Sequence, residues 1–158
     1  MGFGGRSALI IACTEQGWPV SQSALCLATM PTQQHAIKTF VQQTLGCGCP
    51  EEVFQTIQCD RLDAPVTVEG RRINIGDRLL VYLVSTESAS LTPSELSELL
   101  ESGRNDRDSH GFNRFQLALF SESDRMASIE PQAFTRKLYP SDDKIHLHIL
   151  APQHHPLP

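Results

Sequence analysis

Leu79-Leu-Val-Tyr-Leu-Val84 is an unbroken apolar run of strand length. Alternation would mark a strand wetted on one face, whereas continuity marks one covered on both. A polar link then leads to Thr92-Pro93-Ser94-Glu95. Thr92 predicts a helix cap. Pro93 suits the first helical position, where its missing N–H has no partner to lose, and Glu95 stands at the spacing of a capping box. Leu91 and Leu96 occupy hydrophobic-staple positions; Leu96, Leu99 and Leu100 form a core stripe, and Gly103 reads as the stop. A second apolar strand is expected over residues 112–120. Strand 78–85, helix 93–102 and strand 112–120 in this order predict a βαβ unit with a parallel pair.

Upstream, a helix is expected over residues 33–45, with Thr32 as cap, Ile37, Phe40, Val41 and Leu45 on one face, and Gly46 at its end. Pro50 opens a second short helix, residues 50–58, whose Glu51 and Glu52 suit the positive end of the helix dipole and whose Val53, Phe54 and Ile57 would be buried. Val66–Ile75 alternates around Glu69-Gly70 and predicts a hairpin. A short helix over Pro131–Leu138 and a last strand over Lys144–Leu150 complete the pattern. The class is α/β (or α+β), with a small mixed sheet of about four or five strands. Residues 1–29 are expected to be a poorly structured extension or tail, the other reading being a docked arm with a strand at Ala8–Cys13. Residues 30–150 form the globular domain, and the Pro- and His-rich stretch 151–158 a flexible tail.

Charge narrows the partners. The net charge is −5 and no basic cluster exceeds Arg71-Arg72, which argues against nucleic acid. No basic amphipathic helix is present to hold an anionic membrane, and no apolar run approaches the ~20 residues of a spanning helix. The chain has five cysteines, an odd and irregularly spaced set, which suggests a reducing, cytoplasmic setting. No role is assigned to Cys13 or Cys26.

In such a setting Cys47-Gly48-Cys49-Pro50 reads as redox or metal chemistry. Cys47 and Cys49 are the candidate catalytic residues, acting as a dithiol. A helix N-terminus would lower a thiol pKa, while Glu51 and Glu52 would oppose this. The same sulfurs are candidate metal ligands together with His146 and His148, which period two places on one face of the last strand. Two Cys and two His would satisfy zinc's four positions, and an iron–sulfur group is the other candidate cofactor. Cys59 would lie roughly 13–15 Å along the helix axis from Cys49, too far to share an ion, and is expected to be a small buried hydrophobe. The four residues resemble cysteine motifs of thioredoxin-like and iron–sulfur proteins. Thioredoxin-like sites follow a strand and use C-x-x-C, so no residue role is carried over.

Two weaker clusters remain. Arg104–His110 reads as a solvated loop in which Asp106 or Asp108 could orient His110 as an acid/base pair, the basis of a hydrolase reading. Ser85-Thr86-Glu87-Ser88 stands at the carboxyl end of the apolar strand, where small ligands bind in open sheets. The leading expectation is a cytoplasmic dithiol protein. Its rival is a non-catalytic binding or assembly module with structural cysteines and an exposed sheet edge. A protein partner fits either reading, and neither settles whether the chain is an enzyme.

Overall fold

The apolar run becomes the middle strand of a five-stranded sheet in the computed structural model of the chain. The structure describes residues 31–66, 68–86 and 91–157. The N-terminal stretch 1–29 with Cys13 and Cys26, and Glu87 and Ser88 of the link, lie outside the described residues. The strands are β1 (Ile57–Arg61), β2 (Glu69–Ile75), β3 (Leu79–Ser85), β4 (Arg114–Phe120) and β5 (Ile145–Leu150), side by side in that order. β1–β2 and β2–β3 pair antiparallel, while β3–β4 and β4–β5 pair parallel. This is a mixed α/β architecture.

Helix α1 (Pro31–Thr39) widens into a π turn at Phe40–Thr44 and covers one face. Ile37, Phe40, Val41 and Leu45 pack there on Ile73, Ile75, Val81 and Ala118. Helix α2 (Pro93–His110), with α3 (Asp124–Ala127) and α4 (Pro131–Leu138), covers the other face through Leu96, Leu99, Leu100 and Met126. β3 therefore has helices over both faces, and Leu79–Val84 are buried throughout. The capping box of α2 forms as expected, with the Glu95 N–H donating to Thr92 Oγ1 at 3.2 Å and the Thr92 N–H to Glu95 Oε2 at 2.9 Å.

Several expectations need correction. Thr32 already lies within α1 (Pro31–Thr39) rather than capping it. The expected helix 50–58 is a 3₁₀ turn, Glu51–Gln55, followed by β1; residues 57–61 pair with β2, and this long-range ladder overrides the local apolar spacing. Glu69-Gly70 is no turn. Gly70 sits within β2, where a Cβ would lie 2.7 Å from the Leu83 carbonyl oxygen. The hairpin turn is instead Gly76-Asp77, both with positive φ (61° and 55°) and braced by the Asp77 N–H donating to Asn74 Oδ1 at 2.9 Å. α2 does not stop at Gly103 but runs on to His110, with Gly111 as its left-handed cap. Residues 104–110, expected as a loop, are therefore its last two turns. Past Ala151, Pro152–His154 form a 3₁₀ turn, and the His155 ring packs at a tilt on Phe120 with ring centroids 4.5 Å apart.

Candidate functional site

The Cys47–Pro50 loop is held at both ends by backbone. Gly46, with φ 70°, terminates the π turn, and the Cys47 N–H donates to the Val41 carbonyl at 3.0 Å. At the far end the Val53 N–H donates to the Pro50 carbonyl at 3.2 Å. Gly48 between the cysteines has open space around it. Cys47 and Cys49 are joined as a disulfide, with Cα atoms 5.3 Å apart. Cys47 packs into the α1-side core at 9% exposure, while Cys49 is only partly covered. The two residues thus differ in exposure.

A cavity of about 200 Å³ borders the loop, lined by Cys47, Cys49, Val53, Arg78, Asn113 and Arg114 among others. Its two arginines come from separate elements. Arg78 closes the β2–β3 turn, its N–H donating to the Ile75 carbonyl at 3.1 Å. Its own carbonyl accepts from the Asn113 and Arg114 N–H groups at 2.8 and 3.2 Å, which fixes the start of β4 beside it. Sequence reasoning missed both residues, because the link between positions 47, 78 and 114 is made only by the sheet. It also gave Glu51 too much weight: that carboxylate is ion-paired to Lys38. Glu52 lines a different cavity, with Gly76 and Arg78.

His146 and His148 share the α1-side face of β5, opposite Gln116 and Ala118 of β4. The His148 Nε2–H donates to the buried Gln116 Oε1 at 2.9 Å. Burial, with His146 next to it, lowers the His148 pKa to about 4, so the ring is neutral at pH 7. Burial and then the Arg114 charge also lower His146, whose Nε2 is buried with no hydrogen-bond partner among the described residues. No group of three or more His, Cys, Asp or Glu side chains suited to a metal ion comes together among the described residues. Cys59 is buried on β1, in the same apolar cluster as Cys47.

The Asp106–His110 pair is real, with Nδ1 2.9 Å from Asp106 Oδ1, but it is committed elsewhere. Asp106 accepts two hydrogen bonds from Arg72, at 2.6 and 2.8 Å, and one from the Tyr82 hydroxyl at 2.7 Å. Burial alone would raise its pKa; the Arg72 and Tyr82 hydrogen bonds outweigh that and hold the carboxyl below its usual range. Burial and the same carboxylate push the Tyr82 phenol up. A carboxylate so engaged locks α2 to the sheet and has little basicity left for proton abstraction. No family model, curated protein or solved structure matches the chain.

Proposed function

We propose that Cys47 and Cys49 form a thiol–disulfide exchange site. The reading rests on one observation: two sulfurs bonded across a single residue, one in a buried cysteine and one in a half-buried cysteine, on a cavity that also holds Arg78 and Arg114. A staple that serves stability closes a long loop. Closing this one restricts the unfolded chain by about 1.6 kcal/mol, against about 4.7 kcal/mol for a hundred-residue loop. Adjacent arginines favour the thiolate of the reduced form and so raise its reactivity near neutral pH.

The more exposed Cys49 is the attacking thiolate. It forms a bond to one sulfur of a substrate disulfide, and the other substrate sulfur leaves as a thiolate. The Cys47 thiolate then attacks Cys49 Sγ, which releases the second substrate thiolate and closes the Cys47–Cys49 bond. Two electrons pass to the substrate, and a thiol reductant of a reducing, cytoplasmic compartment returns them. Metal holding by the same sulfurs with His146 and His148 has less support, because those side chains are not gathered into one cluster.

Maleimide labelling of the reduced protein, mapped by mass spectrometry, tests the reading. Cys49 is expected to react at least about tenfold faster than buried Cys59, and Cys47→Ser is expected to trap a mixed disulfide with glutathione at Cys49. Labelling of Cys49 as slow as that of Cys59, together with no trapped adduct, would falsify it.

A further inference from the structure

The sheet carries a second, larger cavity at its opposite end. The cysteine loop lies by Leu79 and Arg114, the first residues of the parallel strands; this cavity lies by Ser85 and Phe120, the last. It is about 530 Å³ in volume, within the range of small-molecule sites. Ligands in open sheets with parallel strands bind beyond the carboxyl ends of those strands. The polar lining is Arg61, Arg71, Glu69, Ser85 and His155.

Arg61 and Arg71 are direct cross-strand partners in the β1–β2 ladder, so their side chains leave the same face side by side. Like charges directly opposite each other destabilise a sheet. Neither arginine takes part in an ion pair among the described residues, although Glu69 stands two positions from Arg71 on the same strand. By contrast Arg72, the next residue, is bidentate to Asp106. The docked C-terminal turn walls the cavity with Pro152, His155 and Leu157. Leu157 adds apolar surface, and the His155 ring is held by its tilted packing on Phe120 and by its Nδ1, which lies 2.8 Å from the Leu157 carbonyl oxygen and 3.1 Å from the Leu157 N.

We propose that this cavity binds the oxyanion group, carboxylate or phosphate, of a small organic molecule, with Arg61 and Arg71 as its paired guanidinium ligands. Each planar fork can take two oxygens of such a group, and the anion removes the repulsion between them. The apolar part of the ligand rests against Pro152 and Leu157. Glu69 sets a limit on charge: it repels an extended polyanion and leaves a single oxyanion group as the best match.

Thermal unfolding of the full chain is measured with inorganic phosphate or succinate against chloride of equal ionic strength. At tenfold excess over Kd, a rise in Tm of about 5 °C is expected. A response to phosphate alone assigns a phosphate monoester as ligand class, and a response to succinate alone assigns a carboxylate. Arg71→Gln is expected to abolish the rise while leaving the unliganded Tm unchanged or slightly higher, since it relieves the repulsion. Arg71→Lys, which keeps the charge and loses the fork, should retain part of it. No response to either anion, a rise that survives Arg71→Gln, or a clear fall in that variant's unliganded Tm overturns the proposal. The cavity is tested independently of the cysteines, because Cys49→Ser should leave the anion response intact.

Discussion

On the α2 side of the sheet the partly buried arginines are matched by carboxylates. Arg72 meets Asp106, and Arg107 meets both Asp108 and Asp142, with its Nη2 2.7 Å from Asp142 Oδ2. On the α1 side, the arginines lining the two cavities, Arg61 and Arg71 at one end and Arg78 and Arg114 at the other, form no ion pairs among the described residues. The contrast is sharpest at Arg71 and Arg72, which are adjacent in the chain and point to opposite faces because strand side chains alternate. A guanidinium already clamped by a carboxylate holds elements together. One left without a carboxylate keeps its charge available for a thiolate or a bound anion.

The largest effect expected from this contrast is at Arg72. Arg72→Gln leaves Asp106 facing Tyr82 without its countercharge in a site where both partners are mostly covered, with side-chain exposures of 22% and 14%. Denaturant unfolding should show a loss of about 2–3 kcal/mol, because the stranded carboxylate keeps its desolvation cost. Arg71→Gln, one residue away, should show no such loss. Equal losses at the two positions would break the division between the faces.

Acid should separate the faces next. His148 titrates at about 4 when folded against an ordinary 6.5, and His146 is also lowered. A depressed histidine gives stability that is present above its unfolded pKa and is lost as pH falls toward the folded value. For His148 this amounts to about 2–3 kcal/mol between pH 6.5 and 4. Asp106 and Asp142 lie below their ordinary 3.8, Asp142 chiefly through its Arg107 hydrogen bonds. Their contribution persists above 3.8 and disappears only under stronger acid. Stability measured against pH should therefore fall in two stages. His148→Gln should remove most of the first and leave the second, whereas a single stage unchanged by His148→Gln would contradict this order.

What the sequence revealed follows the same logic of local against long-range signals. The cap at Thr92–Glu95, the apolar stripe of α2 and the continuous run of β3 are local, and the structure reproduces them. The misread elements depended on distant partners. Val53, Phe54 and Ile57 are spaced for a helix, yet Ile57 belongs to a strand because it pairs with Ile75. Gly103 looks like a helix stop, but its missing Cβ makes room for the Phe115 ring, which a Cβ would approach to 1.9 Å. Gly76-Asp77 was the legible hairpin signal, since glycine followed by Asp is a turn pair, but the alternation around Gly70 masked it. At the candidate site the two cysteines were visible as a motif. Arg78 and Arg114 were not, because only the β2–β3 turn and the parallel pairing bring them beside the sulfurs.

The smallest effect concerns the disulfide, and its size separates chemistry from scaffolding. The loop it closes is already fixed by the Cys47-to-Val41 and Val53-to-Pro50 backbone hydrogen bonds, which do not need the sulfurs joined. Reduction should therefore lower stability by no more than about 1.6 kcal/mol, the chain-entropy value for so short a loop. Denaturant unfolding with and without a phosphine reductant measures this, with Cys47→Ser/Cys49→Ser as a control that should lose a similar amount and no longer respond to reductant. A loss of about 4 kcal/mol or more, typical of a long-loop staple, would make the bond part of the scaffold. A small loss accompanied by rapid labelling of Cys49 fits a bond built to open and close while the α2 side of the sheet, with its matched arginines, keeps the fold in place.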